Sequence, residues 1–290
     1  MRTLLRNIHS CGGLCKARIS LFSAFSAATG FLMASSGADR GLIALTAGVF
    51  LLSCGSCAFN QYQERETDAL MPRTMNRPLP SGRIAPRLAL LSSFFLICSG
   101  FTVLAAVRSS LVPALGLFAV IWYNGVYTPL KKRTAFALIP GALVGMVPPA
   151  MGWVAGGGSV TDPGLPFLCF FFFMWQVPHF WLLVLNYGRE YEEAGLPSLT
   201  AVFTRVQLLR LISHWIFGAA MSCLLISLNG LVRAGTTRFL LFGLSLWLVG
   251  NGIGILRSHG SEFIHPYAFR RVNLYMFLAM VLLSVDRLFV

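Results

Sequence analysis

LIALTAGVFLLSCGSCAFNQYQERETDALMPRTMNRPL, residues 42–79, runs through eighteen uncharged residues and straight into Asn60, Glu64 and Asp68. An apolar stretch of that length has the reach of a helix crossing a bilayer core. If the helix continues past the membrane, the four-residue spacing puts Asn60, Glu64 and Asp68 on one face, spread over about 12 Å of rise, with Glu66 on the other side. Pro72 then breaks the helix. Arg73 and Arg77 follow, spaced to present guanidinium forks to phosphate oxygens. One or two carboxylates, with water and substrate phosphate completing the shell, are what magnesium usually accepts. The plainer reading is a solvated helix end carrying exposed charges.

The apolar half of this pattern recurs along the chain. Of 290 residues, 56% are hydrophobic and only 11% charged, with a mean hydropathy of +0.71. The 33 charged side chains cannot coat a soluble globule of this size, so lipid must cover most of the surface. Disorder, a secreted disulfide scaffold and a nucleic-acid module are excluded on the same ground. The ruler of about 20 apolar residues, shorter where flanking residues snorkel, yields nine spans: 19–35, 42–59, 88–107, 111–127, 136–154, 165–185, 208–228, 239–256 and 272–289, with eight as the alternative because the first is short and the last carries Asp286. Residues 1–18 read as a cytoplasmic leader rather than a signal peptide, because no small-residue cleavage site precedes a soluble body. Residues 19–290 then form one transmembrane domain.

Charge sets the expected orientation. With the N-terminus and every second loop on one side, that side holds 18 Lys and Arg and the other five, which places the first face in the cytoplasm and the C-terminus outside. Six of the ten carboxylates occupy two short stretches on that first face: Glu64, Glu66 and Asp68, and Glu190, Glu192 and Glu193. Carboxylates and arginines gathered together suggest a metal and an anion sharing one site. The seven cysteines mostly fall in apolar runs, where they behave as small hydrophobes. Neither the Cys11/Cys15 nor the Cys54/Cys57 pair has a second pair to complete a zinc site.

Two further segments carry polar chemistry. WQVPHFWLLVLNYGREYEEAGLP begins inside the sixth span. Its Pro178 leaves a helix carbonyl unpaired, its His179 is an intramembrane ionisable group and therefore a functional candidate, and Glu190 follows at the cytoplasmic end. A hydrogen-bonded structural histidine is the alternative for His179. Between the acidic stretches lies YNGVYTPLKKRTAFALIPGALVGMVPPAMGW, where Lys131, Lys132 and Arg133 are either topogenic charge or an anion site. Its prolines and glycines predict an irregular fifth span lining a cavity or packing closely on neighbours.

Four segments in order, N-x3-E-x3-D-x2-M-x-R-T-x2-R-P-L from Asn60, Y-T-x-L-K-K-x-T from Tyr127, G-x2-P-P-x2-G-W from Gly145, and W-Q-x-P-H-F with E-Y-x2-A-G-x-P from Trp175, resemble the haem-modifying branch of the intramembrane aromatic prenyltransferases. The resemblance spans roughly residues 14–200 by motif and the rest by span count. It implies an all-α membrane protein of nine helices around a central cavity, capped by the two acidic cytoplasmic loops. It further implies farnesyl diphosphate as donor, a vinyl group of haem B as acceptor, Mg2+ as cofactor, a bacterial inner-membrane location and a haem A synthase downstream. Carried over by position, Asn60, Glu64, Asp68 and Glu190 would hold the metal and orient the diphosphate. Arg73, Thr74, Arg77, Lys131 and Lys132 would bind it, and Tyr127, Trp175 and His179 would line the acceptor region. Glu64 and Glu190 stand where the family usually has aspartate, which keeps the carboxylate on a longer arm. A sister enzyme acting on a quinone precursor or lipid acceptor, a polytopic transporter and a structural oxidase subunit are the rival readings. The acidic residues gather at one membrane face rather than forming a relay deep in several spans, which speaks against transport.

Overall fold

The structure is a computed structural model describing residues 11–35, 37–257 and 265–289. The first ten residues of the expected leader, and 258–264 of the last loop counted on the basic side, lie outside the described residues. Among the described residues there is no strand, and nine helices are long and apolar enough to span a membrane. They are α1 (Ala17–Ala34), α2 (Arg40–Leu70), α3 (Pro86–Leu104), α4 (Leu111–Leu130), α5 (Ala135–Ala155), α6 (Gly164–Glu193), α7 (Arg205–Leu228), α8 (Gly235–Arg257) and α9 (Tyr267–Phe289). The chain is an integral membrane protein.

Two helices outrun their apolar stretches. α2 continues eleven residues past 59, and α6 continues to Glu193 rather than stopping near 185. Hydropathy ends where the charges begin, but Gln, Glu, Arg and Ala remain good helix formers, and only Pro72 and the Gly195 turn stop the two helices. Asp39 starts α2 by accepting the Gly41 and Leu42 amides at 2.7 and 3.3 Å, and a Thr204–Gln207 capping box starts α7.

The irregularity expected of the fifth span lies in the fourth instead. After a 3-10 turn at Ala135–Ala137, α5 runs unbroken over Leu138–Ala155 through Pro148 and Pro149. α4 instead widens to a π-helix over Ile121–Tyr127. α6 likewise continues through Pro178.

Helix α1 packs on α2, α5 and α9, while α6 packs on α5, α7 and α9. The first five helices share one core around Leu45, Leu52, Leu104 and Met151. The last four build another around Phe171, Ile212 and Tyr275. A 3.1 Å hydrogen bond between Thr29 and Ser284 joins the first helix to the last. α1 and α5 approach at backbone distance: a Cβ on Gly30 would run into the Pro149 carbonyl, and one on Gly152 into the Ala27 carbonyl. Small residues permit that closeness, since apolar contact alone gives helices no advantage over lipid. Phe94, Phe95, Phe239 and Leu246 point outward, as a surface wetted by acyl chains requires.

Candidate active site

Between the two halves lies a cavity of about 710 Å³ lined by α1, α2, α4, α5, α6 and α9, a size typical of small-molecule sites. Its charged residues concentrate at one end. There α1 begins, α2, α4 and α6 end, and the 71–77 turn closes over them. Six cationic side chains line the cavity (Lys16, Arg18, Arg73, Arg77, Lys131 and Lys132), against two carboxylates, Glu64 and Asp68. That excess calls for an anionic ligand.

The α2 extension delivers the polar face that its spacing predicts. Asn60, Glu64 and Asp68 are all buried, at 1%, 4% and 2% exposure, so they are not a solvated helix end. Asn60 accepts from Lys16 Nζ at 2.8 Å and donates to Thr128 Oγ1 at 3.1 Å. Glu64 pairs with Lys131, whose ammonium also sits 5.8 Å from the Tyr127 ring. Asp68 takes a 2.6 Å hydrogen bond from Arg77. Lys132 donates to the Gln63 carbonyl at 3.2 Å, and Asn124 is bonded to Gln63 and to the Ser56 carbonyl. The π-helix thus fastens α4 to α2 just where Tyr127, Thr128 and Lys131 must face inward.

The two acidic loops meet. Glu190 Oε2 accepts the Arg73 backbone amide at 3.1 Å, and Tyr191 accepts from the Arg73 guanidinium at 3.3 Å. The same guanidinium lies 4.9 Å from the Tyr187 ring. Two of the residues singled out in the sequence do not line the cavity. Thr74 is buried and donates to the Asp68 carbonyl at 2.8 Å, and the Glu190 carboxylate is turned to the backbone of the turn. Among the described residues, no three His, Cys, Asp or Glu side chains lie close enough to hold a metal between them.

Away from the charged mouth the walls are aromatic. Trp175 donates to the Val272 carbonyl at 3.0 Å and stacks on Phe22 at 5.4 Å. Tyr127 lies 6.3 Å from Phe180. His179 sits between Trp175 and Phe269, each at 5.0 Å, with Nδ1 2.6 Å from Asn273 Oδ1. Lys16 and Asn273 were missed in the sequence. One ends a leader read as topogenic charge, and the other is a lone amide in the final span, 94 residues from its partner.

The UbiA prenyltransferase family profile matches residues 23–281. A protoheme IX farnesyltransferase of Oleidesulfovibrio alaskensis is 34% identical over 97% of each chain. One of Geobacter sulfurreducens is 39% identical over 76% of this chain and 81% of its own. Among solved structures, digeranylgeranylglyceryl phosphate synthase superposes with a TM-score of 0.78 at 14% identity, covering 98% of this chain and 100% of that one. A UbiA homolog from Archaeoglobus fulgidus bound to GPP and Mg2+ superposes with 0.69 at 17%, covering 95% and 99%. These last two likenesses show the fold.

Proposed function

The chain belongs to the UbiA prenyltransferase family, and we propose that it transfers the farnesyl group of farnesyl diphosphate to a vinyl group of haem B, with hydration, giving haem O and diphosphate. The observation that carries this is the cavity itself, with a cationic mouth over two buried carboxylates and a body walled by aromatic rings, on a chain similar end to end to enzymes named for that reaction. The reading takes residues 19–290 as one catalytic unit.

In the reaction the C1–O bond of the donor breaks and its electron pair leaves with the diphosphate. Arg73, Arg77, Lys131 and Lys132 face the charge that builds there, and preorganised cations in a site shielded from water lower that barrier. The terminal carbon of the vinyl group forms the new C–C bond with the allylic cation. Water then adds to the remaining cationic carbon and loses a proton, leaving a hydroxyl. Before C–C bond formation the walls must keep water from the allylic cation, and rings such as Tyr127 and Phe180 steady it through their π faces.

The donor set at the mouth is all oxygen, from Asn60, Glu64 and Asp68, which suits magnesium rather than a softer ion. Because the protein offers at most two carboxylates there, the remaining ligands fall to diphosphate and water, the usual pattern for this ion. Glu64 and Asp68 would hold it, and its chemistry would be neutralisation of the leaving diphosphate. Lys16 orients Asn60, and Glu190 acts by fixing the Arg73 backbone over the mouth. The mouth faces the cytoplasm of a bacterial inner membrane, and the product passes to an enzyme that modifies haem O further.

The test is acceptor choice. The purified protein with farnesyl diphosphate and Mg2+ converts haem B to haem O, read by mass, and leaves 4-hydroxybenzoate untouched. Prenylation of the benzoate without haem O would replace this reading with a quinone-precursor enzyme.

A further inference from the structure

One polar pair in the cavity wall takes no part in the diphosphate chemistry. His179 Nδ1 lies 2.6 Å from Asn273 Oδ1. Asn273 Nδ2 donates to the Phe269 carbonyl at 2.8 Å, which turns its Oδ1 toward the imidazole. An amide oxygen only accepts, so Nδ1 carries a ring proton, and in the neutral ring Nε2 then holds the lone pair. Nε2 has no hydrogen-bond partner among the described residues, and both side chains line the cavity. Trp175 and Phe269 at 5.0 Å and Phe180 at 5.4 Å surround the ring. The structure therefore presents an imidazole with one nitrogen locked to a carbonyl and the other without a partner among the described residues, flanked by aromatic rings.

Resting on the haem reading above, we propose that His179 Nε2 ligates the iron of the acceptor haem, with Asn273 as the positioning residue that fixes the tautomer and ring orientation. Imidazole is a standard axial ligand of haem iron, and metal-bound histidines characteristically donate their second N–H to an oxygen acceptor, which raises their basicity. The aromatic rings give the macrocycle faces to stack against. Phe180, 6.3 Å from Tyr127, connects this station to the ring beneath Lys131. A haem gripped at its centre here would have its rim, where the vinyl groups lie, in the same cavity as the charged mouth. No bond in the farnesyl transfer is made or broken by this ligation.

The experiment is a titration of the purified full-length protein with haem B, followed by its absorption spectrum and by resonance Raman of the ferrous complex. Wild type is expected to saturate with the spectrum of an imidazole-ligated haem. His179→Gly loses that spectrum and binds haem B about 10–100-fold more weakly, and added imidazole restores the spectrum. Asn273→Leu keeps the ligand but shifts the iron–histidine stretch and weakens binding, while Asn273→Asp, which retains an acceptor, restores affinity. An unchanged spectrum and affinity in His179→Gly, in a preparation whose wild type makes haem O, overturns the ligation and leaves farnesyl transfer standing. If His179→Gly does not accumulate in the membrane, an identical stretch in wild type, Asn273→Leu and Asn273→Asp overturns it instead. A histidine-ligated spectrum in a wild type that forms no haem O strikes the functional reading and spares the ligation.

Discussion

Lys16 donates 2.8 Å to Asn60, which in turn donates to Thr128, so one ammonium at the start of α1 orients an amide on α2 against α4. A hydrogen bond from a charged group contributes about 1.5–3 kcal/mol. On that scale Lys16→Met should lower kcat/KM for farnesyl diphosphate by about 10–100-fold in initial-rate assays. Burial pulls the Lys16 pKa below the usual lysine range. The Glu64 carboxylate opposes that shift, and the positive charges of Arg77 and Lys131 reinforce it. The ammonium exists below its pKa, so wild-type kcat/KM should fall on the alkaline side at a lower pH than an ordinary lysine would dictate, and the Met variant should lack that limb. Asp68→Asn keeps the shape of a side chain 2% exposed but removes the charge facing Arg77. It should cost about 10²–10³ in kcat with unchanged membrane yield, and full haem O formation by that variant would dismiss Asp68 from catalysis. Residues that announce themselves by local spacing, Asn60, Glu64 and Asp68, were legible in the sequence because a four-residue repeat is a statement about one helix face. Lys16 and Asn273 were not, since each has meaning only beside a partner on another helix.

At the level of elements, the tight crossing of α1 and α5 admits no side chain at Gly152, where the obstacle is the Ala27 carbonyl rather than a movable side-chain tip. Gly152→Leu should destabilise by about 1–3 kcal/mol or more, seen as a lower unfolding temperature in detergent. Gly254→Ala on α8, with nothing within 4 Å of its Cβ, should be neutral or slightly stabilising. The π-helix at Ile121–Tyr127 makes a second prediction. Removing exposed Gly125, where an added Cβ would meet only Ile121 at 3.9 Å, returns seven wide-turn residues to six in α geometry, which turn about as far and keep Tyr127, Thr128 and Lys131 facing the cavity, whereas an alanine inserted after Gly125 should rotate them by roughly 100°. The insertion should preserve the membrane yield and abolish haem O formation, whereas the deletion and Gly125→Ala retain it; an active insertion variant would show that the facing of these three residues does not matter. Nine spans could be read from hydropathy because lipid enforces length and apolarity on each. Neither the π turn nor the continuity of α5 through Pro148 and Pro149 could be, since both depend on which neighbouring groups meet the freed carbonyls.

For the molecule as a whole, the lopsided basic residues, 18 against five, translate into a measurable orientation. Alkaline phosphatase fused after Val290 should be active and a fluorescent protein there dark, with the reverse pattern for fusions in the loop after α2; the opposite result would turn the mouth to the outer side. The same architecture makes the catalytic chamber a late product of synthesis. Its wall is shared by the first helix and the last, fastened by Thr29 and Ser284, and Phe269 and Asn273 come from that last helix. A nascent chain that has threaded eight helices already owns the entire charged mouth, yet has a trough open to lipid where the finished enzyme has a room. On the proposed chemistry the ribosome must nearly complete its task before a reactive carbocation can be housed, and a stop ahead of α9 would remove Phe269, Asn273 and Ser284 while leaving every charged residue of the mouth in the chain.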